Sequence, residues 1–479
     1  MRVPVPDEIP PATSLGRVHF VGVGGAALSG LARIMSARGV TVSGSDEKDS
    51  ATFGSLRGVG VTCWVGHDRR YVEDADTVVV STAVRADNPE VVAAYERNLR
   101  VWPRSAAVQS VLIGRTAVIV TGTHGKTTTT SMLVTALLSC GADPSYAIGS
   151  TLNASGLNAA EGSGPLFVAE GDESDEAILV YTPSGAVVTN VDVDHLDHFG
   201  SPAAYVEVFD AFLGRIEPSG FVVCCVDDPG AARLADSAGA LGLHVVRVGR
   251  SADADFQARA VTFAGETSTF DVWNDGRSLG TVSLQVPGAH YVVDALAALA
   301  AALELGFGFQ ELATGLAGFR GSGRRMEFKG RAAGVAVYDS YAHHPAEIAA
   351  DLRAARTIAG DGRLVVCFQP HLYSRTRVFG TEMGAALGAA DSVIVMDVYA
   401  AREDPAPGVS GAMVAAAVPP PATSVFEPDW SAAVDQTVTR SGSGDVILTL
   451  GAGDVTEIAP LVLIKLRARE EAMAGGTNR

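Results

Sequence analysis

Basic charge is what this sequence has least of for its size. Its 479 residues carry 36 Lys and Arg against 54 Asp and Glu, a formal charge of −18. Non-specific binding to nucleic acid or to an anionic membrane needs a basic face, so neither is expected as a partner. An anionic ligand stays open, because a few cations focused in a cleft override the net charge. Cysteine is scarce as well. There are five, none in C-x-x-C spacing, with Cys224 and Cys225 adjacent in an apolar run. That excludes a zinc-finger type site and a disulfide framework, and predicts a reduced, cytoplasmic protein. Long apolar runs are missing too. The longest helix-like one, "ALAALAAALELGFG", is interrupted by Glu304 and Gly306, short of the roughly 20 residues that span a bilayer, and reads as a buried helix. The opening "MRVPVPDEIPPATS" is proline-rich and acidic and lacks the apolar stretch of a signal peptide.

What is present is ample core material, 47% apolar residues with 19% charged, enough for about three units of ordinary size. The first alternates apolar β-branched runs, "RVHFVGVG", "VTVSGSD" and "TVVVSTAV", with helix-like segments, which predicts a parallel α/β sheet. After its first strand, Gly22, Gly24 and Ala27 fit G-x-G-x-x-G/A, and Asp46 follows 24 residues after Gly22. Alone, this reads as a dinucleotide fingerprint and raises a nicotinamide-dependent dehydrogenase. A second α/β unit starts at "RTAVIVTGTHGKTTTT" and runs through "PLFVAEGDESD", "AVVTNVDVDHLDHFG" and "GFVVCCVDD". Between roughly 256 and 287 the pattern alternates around Asn274-Asp275-Gly276, which predicts a small antiparallel insert. The Gly- and Arg-rich "GFRGSGRRMEFKG" is the expected linker to a third unit, whose four strand-like runs each end in a polar cluster, where open parallel sheets bind ligands. The closing "LVLIKLRAREEAMAGGTNR" predicts a helix running into a frayed tail.

"VTGTHGKTTTT" carries the most chemistry. A glycine turn after a buried strand aims backbone N–H groups and a helix N-terminus at one spot, which suits phosphate. Lys126 adds a cation for the β/γ-phosphates, and the Thr127 hydroxyl is a Mg²⁺ ligand type. Val120 stands where the usual loop has its first glycine. Carboxylates follow at strand ends: Glu170 with Asp172, Glu173 and Asp175, then Asp192, Asp194 and Asp197 among His195 and His198. Acidic oxygens there suit Mg²⁺ on phosphate oxygens. For His195, a ligand role and a plain helix-start role remain equally open.

Taken in order, "GVGGAALSGLA", "SGSD", "TGTHGKTTTT", "EGDESD", "TNVDVDHLDH", "VPGAH", "YDSYAHHP", "QPHLYSRT" and "GAGD" resemble the Mur ligases of peptidoglycan synthesis, from about residue 16 to about 457. The first and last motifs, with "SYAHHP", point to the branch that joins L-alanine to UDP-N-acetylmuramic acid. The resemblance implies an α/β chain of three domains: a Rossmann-like UDP-sugar domain (1–112), a P-loop-like ATP domain with the small insert (113–322), and a Rossmann-like domain for ATP and amino acid (323–479). It implies ATP and Mg²⁺ as cofactors, no nucleic-acid or membrane partner, and a reaction through an acyl phosphate. A recycling ligase that adds a preformed tripeptide to the same UDP-sugar shares most of these motifs.

Carried onto this sequence, the resemblance implies that Gly122, Thr123, His124, Gly125, Lys126, Thr127 and Thr128 cradle the phosphates. Lys126 acts on the transferring phosphoryl group, Thr127 and Glu170 bind Mg²⁺, and His195 holds a second ion. His290, Asp294, Arg325 and Asp339 fall near the adenosine or its phosphates. Tyr341, His343, His371 and Arg375 fall where L-alanine arrives, with His343 and Arg375 taking part in the chemistry. Gly24, Gly25, Leu28, Ser29, Asp46, Ser81 and Arg104 fall on the UDP-sugar, and Glu173 and Ser174 are expected to bind substrate. His344 is as much a structural neighbour as a participant. The chain departs from the family pattern at Ala27 and Leu28, where glycine and methionine are usual, and at Tyr291 and Asp294, where asparagines are usual. An ionised Asp294 accepts hydrogen bonds but cannot donate them as an amide does. Leu372 stands where relatives carry a basic residue.

Overall fold

The computed structural model of the chain describes residues 3–194, 199–401 and 403–476. Its strands form three sheets. In the first, β1 (Val18–Val21), β2 (Val42–Asp46), β3 (Thr62–Val65), β4 (Thr77–Val80) and β5 (Arg100–Pro103) take the order β3-β2-β1-β4-β5. All neighbours are parallel, so every connection is a crossover and the strand order reverses at β1. Period-two alternation sorts the side chains. Val18 and Phe20 enter the cluster under the helices Ala26–Ala37 and Arg104–Leu112, while Val21 enters the one under Pro89–Glu96. His19 lies on the Val21 face.

The second sheet holds β6 (Thr116–Thr121), β7 (Ser145–Ala147), β8 (Ala159–Ala160), β9 (Leu166–Glu170), β10 (Gly185–Val188), β11 (Phe221–Cys225), β12 (His244–Gly249), β13 (Phe256–Ala264), β14 (Thr267–Asn274) and β15 (Arg277–Leu284). Their order is β15-β14-β13-β12-β11-β10-β6-β9-β7-β8. β10 and β11 are buried throughout, which is why they read as unbroken apolar runs. The segment expected as a small antiparallel insert joins this sheet, because β13 pairs in parallel with β12 through Val248 and Gly249. Its turn is as read: Asp275 and Gly276 both have positive φ (47° and 73°), the backbone of a two-residue hairpin.

The third sheet runs β16 (Glu327–Ala332), β17 (Val335–Ser340), β21 (Val446–Leu450), β18 (Leu364–Phe368), β19 (Ser392–Val395), β20 (Thr423–Phe426). Only its edge pair β16–β17 is antiparallel. The closing helix is present as Ile458–Gly476, and residues 477–479 of the expected tail lie outside the described residues.

The chain divides into two compact units, one of Met1–Arg259, Asp271–Val282 and Val293–Phe319, the other of Ala260–Phe270, Ser283–Val292 and Arg320–Arg479. The longest stretch of the second unit begins at Arg320. Within the first unit a single apolar cluster runs from Leu28, Phe20 and Phe53 through Val111 to Phe167, Tyr181 and Phe209. Each such fully buried side chain contributes about 1.5–3 kcal/mol. We propose 1–112 and 113–322 as separate domains on sheet membership, since a helix ends at Leu112 and β6 opens a new sheet at Thr116.

Candidate active site

Between β6 and the helix Lys126–Ser139 the backbone turns through Gly122 (φ 128°) and Gly125 (φ 82°). A Cβ on Gly122 would sit 2.2 Å from Thr189 Oγ1, and one on Gly125 2.7 Å from Asp294 Oδ1. Both positions therefore require glycine on conformation and on space. Val120 needs no such freedom, being buried in β6 opposite Glu170 of β9. The turn is braced from the neighbouring strand end. His124 N donates to Asn190 Oδ1 (2.9 Å), Asn190 Nδ2 donates to His124 O (3.0 Å), and Thr123 Oγ1 donates to Asp192 O (2.9 Å). The result is a rigid loop that presents the first N–H groups of a buried helix, a site for an anion.

Two acidic residues meet this loop differently. Glu170 Oε1 accepts from Thr127 Oγ1 (3.0 Å), and Oε2 accepts from Gly149 N (2.7 Å), so a hydroxyl and a carboxylate sit together at the helix start. Glu173 was expected to bind substrate. It is instead fully buried, 3.0 Å from Lys126 Nζ, and accepts from Tyr205 OH (3.3 Å). Lys126 Nζ also donates to the carbonyls of Gly122 (2.6 Å) and Thr123 (2.9 Å). Burial pushes the Glu173 carboxyl up to about 7 against the pull of Lys126. Burial works against the Lys126 charge, yet Glu173, Asp172 and Glu170 hold its pKa above the ordinary value. Lys126 is thus a charged, oriented donor. Asn190 and Tyr205 were not singled out from sequence. Asn190 follows the apolar run of β10 inside the quoted "TNVDVDH", and that strand-end position was the available signal. His195 lies outside the described residues.

On the first sheet, Gly24 N donates to Asp46 Oδ2 (2.9 Å), and Gly25 caps the helix Ala26–Ala37. A Cβ on Gly22 would meet Ser81 Cβ at 3.2 Å, so β1 and β4 bring the turn and Ser81 together at the point where strand order reverses. Four expected substrate contacts also have partners inside the protein. Arg104 Nη2 pairs with Asp172 (3.0 Å) and Asp175 (3.1 Å), joining the first sheet's last helix to the acidic loop after β9. Ser174 Oγ and N both donate to Asp172 Oδ1, closing that loop on itself. The Leu28 side chain is buried in the core, and Ser29 donates through Oγ to Ala26 O and through its backbone N to Gly25 O.

The second unit gathers another group. Tyr341 lies under the guanidinium groups of Arg324 (5.0 Å) and Arg325 (5.1 Å), and its ring stands edge-on to His343, which faces His371. His371 stacks on Tyr399. Burial lowers the His343 pKa to about 3 against the pull of Glu347, with Arg375 adding to the fall, so the ring is neutral. Its Nδ1 lies 3.0 Å from Tyr341 O and must be the protonated nitrogen, since a carbonyl only accepts. Arg375 is itself buried. His344 is structural, the N-cap of the helix Pro345–Ala359 in a capping box with Glu347. Asp339, expected near the adenosine, is a fully buried carboxylate bound to Arg324, Thr449 and Thr456. Leu372 has φ 66° before the helix Tyr373–Leu387, and its side chain is buried. Asp294, in the first unit, lies against the Gly125 turn.

His290 Nε2 is buried without a hydrogen-bond partner among the described residues, 3.8 Å from Asp351 Oδ1. Burial lowers His290 to about 4 and raises Asp351 to about 7. The two have opposite consequences for stability. A histidine held low makes the fold more stable as pH rises through 4 to 6.5. A carboxyl held high makes it less stable as pH rises from about 4 to 7. Asp351→Asn removes only the second slope. The stability of the variant relative to the parent is therefore expected to rise between pH 4 and 7, by on the order of 2 kcal/mol. Urea unfolding at a series of pH values checks it, and a difference independent of pH contradicts it.

Residues 17–115 match the Mur ligase family catalytic domain, 120–302 the Mur ligase middle domain, and 324–453 the Mur ligase glutamate ligase domain. The chain is 58% identical over 464 residues to the UDP-N-acetylmuramate–L-alanine ligase of Nocardioides sp., covering 97% of this chain and 99% of that one. It belongs to the Mur ligase family. This Mur ligase is also 52% identical over 461 residues to the protein of the same name from Acidothermus cellulolyticus, covering 96% of this chain and 97% of that one. Its fold is similar to the crystal structure of UDP-N-acetylmuramate–alanine ligase MurC from Thermotoga maritima, with TM-score 0.81, 27% identity, and coverage of 95% of this chain and 99% of that one. The glycine turn after β1 is therefore that of a Mur ligase first domain, and the dehydrogenase reading falls. Among the described residues no helix is long and apolar enough to cross a membrane.

Proposed function

We propose that the protein is an ATP-dependent ligase that joins L-alanine to the lactyl carboxylate of UDP-N-acetylmuramic acid in cytoplasmic peptidoglycan precursor synthesis. One observation carries the reading: a phosphate loop with an oriented, charged Lys126, in a chain 58% identical almost end to end to a ligase of that name. The five cysteines are all free thiols, as suits a reducing compartment.

A carboxylate is a poor electrophile. Its oxygen attacks the γ-phosphorus of ATP, the bond to the β–γ bridging oxygen breaks, and ADP leaves, giving an acyl phosphate. The alanine nitrogen, having lost a proton, then attacks the acyl carbon, and phosphate departs from the tetrahedral adduct. Charge grows on phosphoryl and carbonyl oxygens in both steps, so preorganised donors supply most of the acceleration. The N–H groups of the Gly122–Thr128 loop and Lys126 are such donors. The hard oxygens of Thr127 and Glu170 stand together at the helix start and fit Mg²⁺, which keeps several waters and phosphate oxygens as its other ligands. When bound there the ion neutralises phosphate charge. A role for His195 on a second ion rests on its motif alone.

Neutral His343, its Nδ1–H donated to Tyr341 O, presents Nε2 as a hydrogen-bond acceptor that orients the alanine amine. Arg375 supplies a guanidinium for the alanine carboxylate, and Tyr341 and His371 line the same group. His290, neutral and with an unpartnered buried nitrogen, suits the adenine. The diphosphate of the UDP-sugar falls to Gly24 and Gly25 at their helix N-terminus, its ribose to Asp46, with Ser81 beside the turn. Phosphate release with ATP, Mg²⁺ and UDP-N-acetylmuramic acid is expected to be stimulated by L-alanine far above the tripeptide. Stimulation by the tripeptide alone makes the enzyme a recycling ligase and overturns the reading.

A further inference from the structure

The residues that lead into β16 carry backbone strain that the chemistry above does not use. Arg325 stands between Arg324 (φ 57°) and Met326 (φ 47°), both left-handed and neither a glycine. A Cβ makes that conformation costly, so two such residues in three persist only where their surroundings over-determine them. The surroundings here do so. Met326 is buried. Arg324 N donates to Glu327 Oε2 at 2.9 Å, and Arg324 O accepts from Tyr341 N at 2.7 Å. The Arg324 guanidinium then reaches across the ends of β17 and β21. Its Nε donates to Asp339 Oδ2 at 3.3 Å, Nη1 to Ala452 O at 3.4 Å, and Nη2 to Gly451 O. Asp339 is fixed in turn by the hydroxyls of Thr449 and Thr456, each at 2.7 Å.

Two adjacent arginines with one local signature thus divide. The charge of Arg324 is matched by the fully buried Asp339, and three of its N–H donors are directed at protein acceptors. Its guanidinium lies 5.0 Å from the centre of the Tyr341 ring, and that of Arg325 lies 5.1 Å from it. Two cations beside one ring repel each other, and the Asp339 carboxylate offsets that repulsion. The charge of Arg325 also reaches the Asp351 carboxyl, whose Oδ1 is 3.8 Å from His290 Nε2. Arg325 therefore shares one neighbourhood with Tyr341 and with the His290–Asp351 pair. We propose that Arg324 is a positioning residue: anchored on Asp339, Gly451 and Ala452, it holds the left-handed turn that aims Arg325 at the bound nucleotide, and does not itself touch the nucleotide. A flexible linker at this point leaves Arg325 many orientations, and the anchored turn removes that entropy before ATP arrives. The inference deepens the ATP-dependent ligase reading and rests on it.

Titration calorimetry of the full chain with ATP and Mg²⁺ reads the effect. Arg324→Lys keeps a cation for Asp339 but cannot reach three acceptors at once. It is expected to weaken ATP about tenfold, the size of one charge-assisted hydrogen bond, with the Kd for UDP-N-acetylmuramic acid within about twofold of the parent. Arg324→Ala and Arg324→Gly remove the anchor outright. Glycine takes a φ of 57° without strain, so Arg324→Gly is expected to melt above Arg324→Ala while both lose ATP affinity alike. A double-mutant cycle decides whether the effect passes through Arg325. In an Arg325→Ala background, Arg324→Lys is expected to change the ATP Kd by less than about twofold. Losses that multiply overturn the proposal and make Arg324 an independent contact. ATP affinity that is unchanged in Arg324→Lys, or that recovers with the melting temperature in Arg324→Gly, overturns it too and leaves Arg324 a structural pin. A chain that binds ATP with the expected coupling yet makes no alanine conjugate overturns the ligase reading instead.

Discussion

Lys126→Ala is expected to lower turnover by about 10³-fold or more while leaving the affinity for UDP-N-acetylmuramic acid within about twofold, since loss of one preorganised cation or donor at a transferring phosphoryl group has that size. Lys126 is held by two loop carbonyls and Glu173, and belongs to the second sheet. The turn assigned to the UDP-sugar diphosphate belongs to the first. Removing Lys126 leaves Glu173 without its cation, but a carboxyl already raised to about 7 takes up a proton near neutrality, so the fold survives with a modest loss. Phosphate release gives kcat, calorimetry gives the UDP-sugar Kd, and a thermal melt controls for folding. Loss of UDP-sugar affinity in a folded variant would mean that the division of labour between the two sheets is wrong.

Much of the architecture was legible in the sequence because it is encoded locally. The apolar runs of β10 and β11, the glycines at 122 and 125, and the Asp275-Gly276 turn each follow from short-range chemistry that a single stretch displays. The register of the 256–287 segment was not legible. Whether β13 stands apart or joins β12 depends on a pairing between strands, and alternation alone does not specify the partner. The phosphate loop and Glu170 read correctly as neighbours because strand-end positions in one parallel sheet converge. Side chains in the acidic run did not read correctly. "EGDESD" contains four carboxylates with the same local signature, and only the fold assigns Glu170 to Thr127, Asp172 and Asp175 to Arg104, and Glu173 to Lys126. The partners of Asp339 were illegible for the same reason: a strand-end carboxylate carries no local signal of Arg324, Thr449 and Thr456, which the fold brings to it.

Glu173→Ala separates the loop-positioning role from the substrate contact expected at first. Deleting the carboxylate leaves the Lys126 ammonium buried against two carbonyls, and breaking a buried pair from one side costs about 3–5 kcal/mol. Tyr205 OH loses an acceptor as well, though it retains Thr123 Oγ1 at 2.8 Å. Once its partner is gone, nothing in the Glu173 position holds Lys126 at the loop, so kcat is expected to fall by about 10²-fold, with the KM for UDP-N-acetylmuramic acid unchanged. Glu173→Gln keeps the shape and an acceptor oxygen for Lys126 and is expected to recover most of the stability and part of kcat. A substrate contact predicts the reverse pattern: both variants raise KM for the UDP-sugar, neither lowers the melting temperature much, and Gln offers no rescue of kcat. Denaturant unfolding with steady-state kinetics on the same two proteins decides between them, because the geometry ties Glu173 to stability and kcat through Lys126 and gives it no exposed oxygen with which to meet a sugar.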